Sequence, residues 1–142
     1  NTRLVYDRFE IVSVSEPRLV PMDTLRTLLK DKGIEELKAR FEAITLDTAT
    51  FHAWGEYDDY YFVRRVIGDS LYTEAFELSY FLGTKHNDPN TLSLMTMAQE
   101  EQGLYQAAID TLESIMARHP ESGFDKEYFE SEIERFKKLL KD

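Results

Sequence analysis

The sequence predicts an all-α fold built from antiparallel helical hairpins, and three observations carry that expectation. Apolar residues recur at spacings of three and four through most of the chain beyond Pro21, which is the period of one helix face. Glycine and proline punctuate those runs where helices would start or stop, at Gly33, Asp88-Pro89, Gly103 and Pro120. Tyr72, Ala75 and Leu82 precede Tyr105, Ala108 and Ile115 by one offset of 33 residues, so a single hairpin pattern is written twice.

Residues 1–21 read differently from the rest. Phe9, Ile11, Val12 and Val14 alternate with charged and serine residues over a short range, which favours an extended segment over a helix, and Pro17 and Pro21 break it. A lone strand is not stable in water, so this segment pairs with itself, packs on the helices or belongs to a preceding domain. A linker is the alternative, given the turn formers Ser13, Ser15, Glu16 and Pro17. The chain opens on Asn1 instead of methionine, and the expectation is a fragment or processed product whose first residues adjoin an upstream domain.

From 22 to 47 the pattern is a pair of helices. Asp23 reads as an N-cap, Leu25, Leu28 and Leu29 form the apolar stripe of the first helix, and Gly33 ends it. Ile34, Leu37, Phe41 and Ile44 then stand at spacings of three, four and three with charges between them, giving a second amphipathic helix. Next comes an aromatic stretch with Phe51, Trp54, Tyr57, Tyr60, Tyr61 and Phe62, which opens a hairpin over 55–88. Trp54, Tyr61 and Phe62 are expected to fill the interface toward the preceding helices. Tyr57, Tyr60 and Arg64 share the opposite face, where they are either solvated or form an amphipathic patch that anchors a partner.

Residues 89–122 hold the second hairpin. Asp88 followed by Pro89 supplies a helix start, Gly103 the tight turn, and Tyr105, Ala108, Leu112 and Ile115 the buried stripe, with Pro120 as the stop. A last helix over 124–141 carries Phe129, Ile133, Phe136 and Leu140 on one face, expected to pack on Leu112 and Ile115. Acids crowd its first half and Arg135, Lys137, Lys138 and Lys141 its second, the order that suits the helix dipole.

The run Gly103, Tyr105, Ala108, Leu112, Pro120 resembles the tetratricopeptide repeat. In the earlier copy Ser70, Ser79 and Asn87 stand where the turn glycine, the large residue and the final proline would be, and the tryptophan and Leu-Gly pair of the family's first helix are missing from both copies. The resemblance implies hairpins stacked as a short right-handed superhelix. The pair at 22–47 would be a degenerate N-terminal unit, and 124–141 a solvating cap. It also implies a concave groove lined by the first helix of each hairpin. Aligned on Tyr72 and Tyr105, the groove positions are Tyr57, Tyr60 and Arg64 in the first copy and Asn90, Ser93, Met97 and Glu100 in the second, with solvation the favoured expectation for Asn90 and Glu100. One variant of the family clamps a terminal carboxylate with lysine and asparagine. Ser93 and Met97 replace those types here, so that ligand is not carried over. The order of motifs across roughly 22–120 is also similar to C-terminal extensions of some bacterial serine hydrolases, which would make this chain an accessory domain that packs on its own upstream domain or mediates self-association.

Composition narrows the partners. The 142 residues carry 27 acidic and 17 basic side chains, a net charge of −10, and that surface repels nucleic acid and anionic lipid alike. No run approaches a membrane span, so a soluble protein is expected; composition does not fix its compartment, and the resemblance to bacterial hydrolase extensions implies the bacterial cytoplasm or periplasm. With no cysteine there is no disulfide and no thiolate chemistry. His52, His86 and His119 recur at intervals of 34 and 33. Such repeat-equivalent positions lie on the order of 10 Å apart, too far for imidazoles that must come within roughly 4 Å to share a zinc. They are expected to cap helix C-termini instead. The acids Glu56, Asp58 and Asp59 sit at a helix start, where the dipole accounts for them. Without a phosphate loop, an HExxH or a Gly-x-Ser-x-Gly, neither catalysis nor a cofactor is expected. The expectation is a non-catalytic module whose groove takes an apolar or basic protein segment.

Overall fold

The structure is a computed structural model that describes residues 22–46, 58–120 and 126–142. The expectations for residues 1–21, and those for Phe51, His52, Trp54, Glu56 and Tyr57, fall outside the described residues. Those described are helical throughout, with no strand among them, so the fold is all-α.

The chain divides into two compact units, Asn1–Asp58 and Asp59–Asp142. In the first, α1 (Met22–Lys32) and α2 (Ile34–Leu46) contact one another, and Leu25, Leu29, Leu37 and Phe41 are buried. Gly33 joins them at φ +95°, with its N–H donating to the Leu29 carbonyl at 2.9 Å, a left-handed turn in which glycine has no Cβ to strain. Asp23 is not the cap. It lies inside the first turn of α1, where its carboxylate accepts from Arg26 at 2.9 Å, an i, i+3 pair close to the positive end of the helix.

The second unit contains α3 (Asp58–Gly68, from Asp59 onward), α4 (Tyr72–Lys85), α5 (Pro89–Leu92), α6 (Leu94–Glu101), α7 (Tyr105–Arg118) and α8 (Lys126–Lys141). The turn from α3 to α4 and the turn from α6 to α7 are built alike. At the first, Ser70 donates to the Ile67 carbonyl and Leu71 to that of Val66; 33 residues on, Gly103 donates to Glu100 and Leu104 to Gln99. Ser70 and Gly103 take the left-handed conformation, at φ +65° and +75°. This is the two-bond helix terminator that satisfies two carbonyls which the ending helix leaves orphaned. Leu71 and Leu104 then accept from Ala75 and Ala108 and so begin the next helix. A third terminator closes α4, where Asn87 at φ +52° donates to Thr84 and Asp88 donates to Gly83. Asp88 goes straight on to cap α5 by accepting from the Asn90 N–H at 3.0 Å, with Pro89 in the first turn.

Ala75 and Ala108 are fully buried, and Ala108 belongs to the core that α7 shares with its neighbours. Ser79 stands where the second copy has Leu112, and its buried hydroxyl is satisfied by the Ala75 carbonyl at 2.7 Å. The continuous helix expected after Pro89 is interrupted at Ser93. There the Ser93 hydroxyl donates to the Asn90 carbonyl, and the Ser93 carbonyl accepts from both the N–H and the hydroxyl of Thr96, at 3.0 and 2.7 Å, so an i, i+3 bond marks the break. At Gly83 of α4, an added Cβ would lie 2.6 Å from Leu92 Cγ and 2.9 Å from its backbone nitrogen, so α5 crosses α4 at a point where only glycine fits.

One core joins α5 to α8: Leu92, Met95, Ala108, Ile109, Leu112, Ile115, Phe129, Ile133 and Phe136. Leu140 does not join it and is 47% exposed. Phe136 stacks on Tyr105, the first residue of α7, at 6.2 Å between centroids. Leu140 is one turn further on, about 6 Å along the axis, and Leu139 packs against the cluster instead.

Candidate functional site

The candidate face lies within the second unit and draws on α3, α6 and α8. On α3 the buried stripe is Asp59, Phe62, Val63, Val66 and Ile67. That stripe leaves Tyr60 half-buried at its edge and Arg64 exposed one turn on. The Arg64 guanidinium carbon stands 5.9 Å from the centroid of the Tyr60 ring, within reach of a cation–π attraction. The sequence pattern puts Tyr61 in the core with Phe62, but Tyr61 is 54% exposed and meets Tyr60 edge-on at 5.5 Å. One residue off the stripe rotates it about 100° away from the packed side.

On α6 five of the eight residues are buried. Leu94, Met95, Thr96, Ala98 and Gln99 face neighbours, while Ser93, Met97 and Glu100, spaced four and three, stay half-buried and mark the open side. Asn90, at the start of α5, is exposed. Gln99 carries a buried side-chain oxygen without a hydrogen-bond partner among the described residues.

Glu100 is already engaged. Arg135 of α8 donates to both its oxygens, at 2.7 and 2.8 Å, and also to Glu132 at 2.8 Å, with its guanidinium 4.7 Å from the Phe136 ring centroid. This forked pairing holds the Glu100 carboxyl below its ordinary pKa and raises that of Arg135. Tyr128, one turn before Glu132, is 53% exposed. Its hydroxyl pKa is raised first by partial burial, then by the Glu132 carboxylate and by Tyr60, so it remains a neutral donor at physiological pH. The Glu100–Arg135 pairing brings α6 and α8 side chains together, and Tyr128 stands on the same α8 row as Glu132 and Arg135.

Of the positions expected to line a groove, Tyr60, Arg64, Ser93, Met97 and Glu100 are therefore on accessible or half-buried faces, and Asn90 is exposed. Arg135 joins this face through Glu100, with Tyr128 two turns before it on α8, and neither is among the positions that sequence alignment of the two copies selects. Their helix reads from sequence as a solvating cap, and its i, i+4, i+7 row of Tyr128, Glu132 and Arg135 is the signal that points to them.

His86 and His119 occupy the C-cap positions of α4 and α7, each donating its backbone N–H into the last turn. The His86 ring makes a further bond that its spacing does not indicate, from Nδ1 to the buried carboxylate of Asp59 on α3 at 2.5 Å. Among the described residues, no helix is long and apolar enough to cross a membrane. No protein family, curated protein or solved structure matches the chain.

Proposed function

We propose that this chain is a non-catalytic binding module of tetratricopeptide-like hairpins, whose open face takes an apolar or basic segment of a partner protein. The observation that carries the reading is the row Ser93, Met97, Glu100, left half-buried beside the packed side of α6 and tied through Glu100 to Arg135 of α8, with half-buried Tyr60 and exposed Arg64 on α3 as the positions aligned with it in the first copy. Tyrosine and methionine provide large contact areas with few fixed hydrogen-bonding demands, which suits an apolar segment, and the net charge of −10 favours a basic segment over an acidic one. The recurrence of one turn geometry at an offset of 33 supports the family resemblance. Glu100 contributes through its bond to Arg135, which leaves Tyr60, Arg64, Met97 and Tyr128 as the contact groups.

The test is peptide binding by fluorescence anisotropy, with synthetic peptides of apolar-basic, apolar-acidic and purely polar composition. The apolar-basic class binds, and Tyr60→Ala with Met97→Ala weakens it by about tenfold or more while circular dichroism stays unchanged. Binding that is indifferent to both substitutions, or a preference for purely polar peptides, overturns the reading.

A further inference from the structure

No further inference is drawn: the strongest candidate, the half-buried face that Tyr60, Arg64, Ser93, Met97 and Tyr128 present on α3, α6 and α8, belongs to the site already described, and nothing in the structure shows what covers it.

Discussion

Arg135 grips the carboxylate of Glu100 with two hydrogen bonds of 2.7 and 2.8 Å, across 35 residues of sequence, and so ties the last helix to the central one at the edge of the open face. Because the folded pKa of Glu100 is depressed, this pairing stabilises the protein above the ordinary carboxyl pKa of 4.5 and fades as pH falls through the lowered folded value. Both groups reach solvent, so the contribution is about 0.5–1 kcal/mol. Urea midpoints measured at neutral and acid pH should fall less with pH in Glu100→Gln than in the parent. An equal fall in both would remove Glu100 as a source of acid sensitivity.

Ser70 pays for a left-handed backbone that Gly103 adopts without strain. Ser70→Gly should therefore raise the unfolding free energy, and Gly103→Ala should lower it, each by about 1 kcal/mol. Thermal or urea denaturation reads both, and the opposite sign at either position would mean that the turn is not held as described.

Gly83→Ala tests the crossing of α4 and α5. The new methyl would meet the Leu92 backbone nitrogen, which cannot rotate away as a side-chain tip can, so a loss of about 1–3 kcal/mol is expected. Gly68, where an added Cβ would meet nothing within 4 Å, is the control: Gly68→Ala should not lose stability, since alanine is the better helix former.

His86→Ala withdraws a donor from the buried Asp59 carboxylate. A destabilisation of about 1–3 kcal/mol should follow, and hydrogen exchange should rise first in the opening turn of α3. Unchanged protection there would show that the bond contributes little to docking α3.

The elements that depend on a local signal are legible in the sequence. Asp88-Pro89 starts a helix because cap chemistry acts within three residues, and Phe129, Ile133 and Phe136 announce a buried stripe because helix periodicity is itself local. The all-α class follows from such signals taken together. What stays illegible depends on where a helix ends up. Leu140 keeps the spacing of the stripe yet is exposed while Leu139 takes the packed position, and Tyr61 has the hydrophobic surface of a core residue on the wrong side of its helix. Ser93 interrupts its helix through hydroxyl bonds that the same residues need not make elsewhere. At the candidate face, Tyr60 and Met97 can be named from alignment of the two copies, whereas Arg135 can be placed beside Glu100 only once α8 is seen against α6.

Leu71 and Leu104 each serve two helices at once, closing the terminator of one and accepting the first backbone bond of the next. No spare residue separates the two roles, so these turns behave as gear teeth. A single residue inserted after either leucine would advance the following helix by about 100°, sending Ala75 or Ala108 to the surface and a charged row into the core. Length changes at these joints are thus confined to steps that restore phase. The chain can be extended by duplicating a complete 33-residue hairpin far more readily than by adding one amino acid.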